Sequence, residues 1–150
     1  MEEKPAYNPD EALKLKNQLC FPLYAASRKI VGAYTPYLKP LGITYTQYIT
    51  FMVLWEQDGI PVGTLGKRLH LDNGTLTPLL KKMESAGYVT RTRSREDERV
   101  VIVSLTDKGW AMRDQAADIP AQVGSCIRLD PDEAQTLYTL LYRIMEQNEL

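Results

Sequence analysis

The sequence predicts a mainly α-helical fold that carries one small β-hairpin. Three observations predict it. Apolar residues recur at helical spacing through most of the 150 residues, in segments that open on capping residues. After Gly87 the period drops to two, over 88–93 and again over 101–105, with a wholly polar loop between the runs. After Thr106 the helical spacing returns.

The elements follow in order. Asn8-Pro9-Asp10-Glu11 reads as a helix start, with Asn8 as cap and Pro9 at the first helical position. Leu13 to Leu41 is then broadly helical, with Leu19, Leu23, Ile30, Tyr34, Tyr37 and Leu38 as apolar positions. Pro22 and Pro36 each remove a backbone donor. Either the helix kinks at them, or it begins near Leu19 to Phe21 with Pro22 in its first turn. Gly42 ends this region. Thr44-Tyr45-Thr46-Gln47 has capping-box spacing and opens a helix to about Glu56, with Tyr48, Ile49, Met52, Val53 and Trp55 as its apolar stripe. Gln57-Asp58-Gly59 is a turn. Pro61 to His70 is a short helix with Val62, Leu65 and Leu69 inward. Asp72 or Asn73 caps a helix to Ala86, and Gly87 stops it. Two short helices followed by one rich in Thr and Lys give the order of a helix-turn-helix. The hairpin that follows is then a wing, and residues 44–105 form a winged helix-turn-helix. Thr106-Asp107 caps a helix reaching Ile119 or beyond. Asp130-Pro131-Asp132-Glu133 opens a last helix with Leu137, Leu140, Leu141, Ile144 and Met145 on one face. Without a repeat, low-complexity tract or linker, residues 1–150 read as a single domain.

Composition narrows the function classes. A chain 44% hydrophobic and 25% charged is that of a soluble globular protein. No apolar run reaches the roughly 18 residues that cross a membrane. The opening MEEKPAYNPDE is acidic and polar, not a secretory signal, which points to the cytoplasm. Two cysteines are too few for a disulfide framework. In a reducing compartment Cys20 and Cys126 rest as thiols, and a disulfide there would be regulatory. The single histidine, His70, cannot build a zinc site with two distant cysteines, and it lies within the helix-turn-helix rather than beside a nucleophile. No metal or cofactor is expected. The net charge is −1, but the eight basic and five acidic residues from Lys67 to Arg99 make that segment +3. A local basic face on an acidic body can bind phosphates.

Residues of the right type stand where a DNA reader needs them. Asn73, Thr75 and Thr77 are small hydrogen-bonding side chains near the start of the candidate recognition helix, and Gly74 permits close approach. Lys81 and Lys82 lie a turn later, where phosphates would be. Arg91, Arg93, Arg95 and Arg99 sit on or beside the hairpin tip, and arginine suits a narrow minor groove. One of Glu96, Asp97 and Glu98 is expected to pair with an arginine and fix its direction.

The sequence resembles the MarR family of winged helix regulators, and within it the organic hydroperoxide resistance regulators. The resemblance spans about Leu13 to Ile144. Leu19-Cys20-Phe21, Tyr34, Thr44-Tyr45-Thr46-Gln47-Tyr48, Leu54-Trp55-Glu56, the run Leu71 to Lys82 and Glu96-Asp97-Glu98-Arg99 carry it. It departs at Asn73, where a serine is usual, which bears on base preference. The resemblance implies a homodimer joined through residues 13–41 and 106–147, bound to a pseudo-palindromic operator as a repressor. It implies that Asn73, Thr75 and Thr77 face bases or phosphates and that Arg99 enters the minor groove, held by Asp97. It makes Cys20 the peroxide-reactive thiol, with Tyr34 and Tyr45 hydrogen-bonding it from the partner subunit. Such a thiol reacts as the thiolate, which phenol hydroxyls and a helix N-terminus favour. Cys126 is the natural resolving thiol, within or between subunits, or it simply packs. Two rivals stand beside this reading: a MarR-type regulator released by a small phenolic ligand, and a thiol peroxidase. The second would have no use for a recognition helix and wing.

Overall fold

The computed structural model describes residues 7–147. Residues 1–6, part of the opening read as non-secretory, and 148–150 lie outside the described residues. The chain divides into two compact units, Met1–Ile119 and Pro120–Leu150.

In the first unit the elements are α1 (Pro9–Ala12), α2 (Cys20–Ala33), α3 (Thr35–Leu38), α4 (Tyr45–Glu56), β1 (Ile60–Pro61), α5 (Val62–Leu69), α6 (Asn73–Ser85), β2 (Val89–Arg93), β3 (Val101–Leu105) and α7 (Asp107–Ala116). The expected long helix over 13–41 is broken. Asn8 does cap, its Oδ1 accepting from the amides of Asp10 and Glu11, but α1 lasts one turn. Its freed carbonyls are taken by side-chain amides: Asn17 donates to Glu11 O at 2.7 Å, and Gln18 donates to Ala12 O. The helix starts afresh at Cys20, with Pro22 in the first turn of α2, where its missing donor costs nothing. Pro36 sits in the first turn of α3 and cannot accommodate the carbonyl of Gly32, so α2 ends at Ala33.

Helix α4 begins on the expected box: Gln47 N donates to Thr44 Oγ1, and Thr44 N donates to Gln47 Oε1. The stripe assigned to it is only partly right. Phe51 and Leu54 are fully buried, whereas Met52 is 39% exposed. A helix that is apolar nearly all round offers no period from which its inner face can be read. Thr50 is buried as well and satisfies its hydroxyl on Thr46 O at 2.8 Å.

The hairpin is the outer part of a three-stranded antiparallel sheet of order β1-β3-β2. Strand β1 was not foreseen; two residues are too short to show a period, and Pro61 is tolerated because it lies on an edge strand. Ile60 and Arg91 lie on either side of Val103 in register. Helix α6 packs Leu76, Leu80 and Met83 inward, each at most 1% exposed, with Val89 and Val103 of the sheet equally buried. Burying each such side chain contributes about 1.5–3 kcal/mol.

Helix α7 is docked by its first turn. Thr106 N donates to Tyr88 O, the Thr106 hydroxyl donates to Gly87 O at 2.6 Å, and Gly109 N donates to Thr106 Oγ1. Trp55 Nε1 donates to Gly109 O at 3.2 Å, tying α4 to the same turn. The helix ends at Ala116, earlier than expected, because Pro120 cannot pack over the Ala116 carbonyl.

The second unit holds α8 (Ile119–Gly124), which opens at the division, and α9 (Pro131–Met145). The expected cap of α9 forms: Asp130 Oδ1 accepts from the amides of Asp132 and Glu133, and Asp130 N donates to Glu133 Oε2. No residue of α9 is buried; Leu137, Leu140 and Met145 are each more than 40% exposed. Helix α2 likewise buries none of its residues.

The tightest backbone approach is at Gly109, where a Cβ would lie 2.3 Å from Tyr88 O and 2.9 Å from Leu105 Cδ2. Gly109→Ala must therefore push α7 away from Tyr88 and Leu105. The expected loss is about 2 kcal/mol or more, read as a fall of several degrees in Tm by thermal denaturation. An unchanged Tm would show that α7 is not docked this way.

Candidate nucleic-acid interface and thiol sites

The second helix of the pair, α6, starts on Asp72, whose carboxylate accepts from the Thr75 amide at 2.8 Å and the Thr75 hydroxyl at 3.4 Å. Asn73 is thus the first helical residue rather than the cap. Asn73, Thr77 and Lys81 fall four residues apart and share one exposed stripe, which runs along the border of the buried face formed by Leu76, Leu80 and Met83. Thr75 and Lys82 are exposed beside that stripe. The turn between α5 and α6 is tight. His70 adopts a left-handed conformation, φ 52°, and caps α5. A Cβ at Gly66 would lie 3.1 Å from Leu71 O and 3.2 Å from Leu76 Cδ2. His70 therefore serves the turn.

The hairpin brings its arginines to different ends. Arg99 forms a two-pronged pair with Asp97, Nε on Oδ1 and Nη2 on Oδ2, both at 3.0 Å, and its backbone N–H also donates to Oδ1. These hydrogen bonds from Arg99 hold the Asp97 carboxyl below its usual range, and the carboxylate raises the guanidinium further. Arg99 nonetheless stays 91% exposed at its side chain, so the pair aims the group without covering it. Arg93 braces the tip by donating to Glu98 O at 2.8 Å. Arg95 is exposed.

A cleft between α5, α6 and the hairpin is lined by Lys67, Asn73, Thr77, Arg91 and Arg99 among others. Four of the residues singled out from the sequence thus converge on one concave, basic surface. Lys67 was not assigned a site role there. Arg91 is in the cleft but its donors are engaged by Glu84 of α6, at 2.7 and 3.1 Å. Sequence reasoning sought the arginine's partner among Glu96, Asp97 and Glu98; Asp97 fits that expectation, and Glu84 is the one missed. A signal existed, since a carboxylate in the last turn of a helix opposes the helix dipole and wants a reason.

The thiol residues lie in both units. Cys20, exposed, is the first residue of α2. Cys126, exposed, lies just beyond α8 and its thiol donates weakly to Gln122 O at 3.5 Å. Both are free thiols. Tyr34 caps the far end of α2 and packs on Tyr45, ring centroids 4.9 Å apart, and on Tyr48 at 5.7 Å. Burial, and then the neighbouring Tyr34, push the Tyr45 phenol up, so it stays a hydrogen-bond donor at neutral pH. Within one chain Cys20 and Tyr34 stand at opposite ends of a 14-residue helix, a backbone separation of about 20 Å at 1.5 Å per residue. No single chain brings this thiol and these phenols together along α2.

Among the described residues no group of three or more His, Cys, Asp or Glu side chains is placed to hold a metal, and no helix is long and apolar enough to cross a membrane.

Comparison with known proteins fits this geometry. A family model described as the transcriptional regulator SarA/Rot matches residues 33–115. The organic hydroperoxide resistance transcriptional regulator of Bacillus subtilis (strain 168) is 44% identical over 139 residues, 93% of this chain and 95% of that protein. A structure of reduced AbfR bound to DNA superposes with a TM-score of 0.73 at 36% identity, covering 91% of this chain and 95% of that one. Disulfide-formed AbfR superposes with a TM-score of 0.62 at the same identity, covering 91% and 96%. The chain belongs to the SarA/Rot-type, MarR-like family of winged helix DNA-binding transcriptional regulators, a family of regulators and not of enzymes.

Proposed function

We propose that this chain is a cytoplasmic homodimeric repressor that releases its operator when an organic hydroperoxide oxidises Cys20. The observation that carries the DNA side is the cleft that gathers Asn73, Thr77 and Arg99 beside the exposed stripe of α6. In this reading Asn73, Thr75 and Thr77 meet base edges or nearby phosphates in the major groove, and Lys81 and Lys82 meet phosphates. Arg99, aimed by Asp97, enters the minor groove, and Arg93 stiffens the tip that carries it.

The dimer is supported by the apolar faces of α2 and α9, which expose Phe21, Leu23, Leu137, Leu140 and Met145. Residues 13–41 and 106–147 would form the interface, and 44–105 the DNA-binding region. A two-fold dimer matches two half-sites roughly 10 bp apart or a multiple of that. Antiparallel pairing of two α2 helices would also carry the Tyr34 and Tyr45 of one chain toward the Cys20 of its partner, which the length of α2 forbids within a chain.

The organic hydroperoxide is the two-electron oxidant, and the Cys20 and Cys126 thiols are what it oxidises. The Cys20 thiolate attacks the peroxide oxygen, the O–O bond breaks, and the alcohol leaves after taking a proton; the sulfur becomes a sulfenic acid. The Cys126 thiol gives up its proton and attacks that sulfur, the S–O bond breaks, and the hydroxide takes that proton and leaves as water, so that a disulfide forms. A disulfide needs Cα atoms within about 7 Å. If the reduced thiols lie farther apart than that, forming the bond pulls on the elements that carry them, which in this reading space the two recognition helices. A differential of order 1–3 kcal/mol in DNA affinity makes a usable switch. A second reading, release by a small ligand, is favoured by an apolar pocket beside Tyr45 lined by Val31, Thr35, Leu38, Lys39 and Ile43.

Cys20→Ser is expected to bind operator DNA in a gel shift and to stay bound when organic hydroperoxide is added. Release of that variant as readily as the unmodified protein would hand the signal to the pocket. Cys126→Ser should still react but stop at a sulfenic acid or mixed disulfide, seen by mass spectrometry. Arg99→Ala should keep its fold and lose operator affinity by about tenfold to a hundredfold, while Lys81→Ala should lower the salt slope of binding by about one unit. Wild-type affinity in Arg99→Ala would remove the wing from the interface. Light scattering at micromolar concentration should find a dimer, and a monodisperse monomer would remove the two-fold reading.

A further inference from the structure

Glu84 stands in the last turn of α6, where the helix carbonyls disfavour a carboxylate. Arg91 stands third in β2, directly across from Val103, so the two side chains share a face of the sheet. Val103 is fully buried and Ile60, its other neighbour in the same row, is 3% exposed. Arg91 therefore occupies a core-facing position, with the inner face of the sheet toward α6 rather than open solvent. Its Nε and Nη2 donate to Glu84 Oε2 at 3.1 and 2.7 Å, and its backbone N–H donates to Glu84 Oε1 at 3.1 Å. One carboxylate thus holds both the guanidinium and a backbone amide of the edge strand. Hydrogen bonds from the Arg91 side chain hold the Glu84 carboxyl below its usual range, so it is charged at neutral pH.

From this joint the hairpin continues through polar contacts. Arg93 donates to Glu98 O, Ser94 N donates to Val100 O at 2.8 Å, and Asp97 grips Arg99. The path runs from the reading helix to the exposed arginine at the tip. We propose that Glu84 and Arg91 are positioning residues, whose fork sets the hairpin against α6 and so places Arg99, and that Arg91 is not a phosphate ligand. This rests on the reading that α6 and the hairpin bind DNA.

The test uses the full-length reduced protein and a duplex that the unmodified protein selects from a randomised DNA library. Glu84→Ala and Arg91→Ala are each expected to weaken binding by on the order of tenfold, the double variant no further than either single one. The slope of log affinity against log salt should stay unchanged, because no phosphate contact is lost. Arg91→Lys keeps the charge without the fork and should bind as weakly as Arg91→Ala. Three results would overturn the assignment: tighter binding with a steeper slope in Glu84→Ala, a slope lower by about one unit in Arg91→Ala, or wild-type binding in Arg91→Lys. Hydrogen exchange of the amides at 94–100, measured without DNA, decides independently. Exchange should rise several-fold in either alanine variant while Tm moves little; unchanged exchange rejects the joint. Should the unmodified protein select no duplex, the DNA reading fails, and the exchange result alone rules on the joint.

Discussion

Burial of one face of α6 is the constraint on which the helix-turn-helix and its hairpin depend. Leu76, Leu80 and Met83 recur at three- and four-residue spacing and are all but removed from water. Once that face is committed to the core, the rest of the helix is left to solvent, and Asn73, Thr77 and Lys81 follow as a stripe along its border. The tight turn before α6 depends on the same packing, since Leu76 also closes on Gly66. The sheet completes the enclosure by adding Val89 and Val103. The exposed chemistry of this region is thus the remainder left by its hydrophobic pattern.

Charge is used here for direction more than for attraction. The basic face carries carboxylates that a simple phosphate-binding patch would omit, and two of them are forked to arginines. Asp97 grips a guanidinium that remains open to solvent, while Glu84 grips one on the inner face of the sheet. The same ion-pair geometry therefore holds two differently placed arginines, one in the middle of a strand and one in the loop. Exposed ion pairs add little stability. In the proposed reading, their value lies in restricting long side chains to one arrangement before DNA arrives, which would reduce the ordering cost at binding.

The thiols follow a different logic. Cys20 opens a helix that buries nothing in one chain, and Tyr34, one of the tyrosines proposed to meet it, stands a full helix length away. A sensor divided in this way would be assembled only by association, so the signal would arise at the interface that also spaces the two reading helices. The apolar face of α9 is open as well, and its capping box fixes where that helix begins regardless of what covers it.

Much of this was legible in the chain itself. Caps wrote the starts of α4, α6, α7 and α9, because a cap is a local contract between a side chain and amides two or three residues on. The change of period after Gly87 wrote the hairpin, and the family resemblance named the Asp97–Arg99 pair among the three acids the residues alone left open. The family was recognisable from short runs of residues. What needed the tertiary structure was whatever joins residues far apart or lacks a period. Strand β1 is too short to show one, and α4 is too apolar to reveal that Phe51 and Leu54, rather than Met52, face inward. Pro22 was ambiguous between a kink and a beginning until α2 was seen to start at Cys20. Glu84 and Arg91 are separated by a turn and a change of element, so nothing local binds them; only the packing of α6 across the inner face of β2 brings the carboxylate to the guanidinium and the edge amide together.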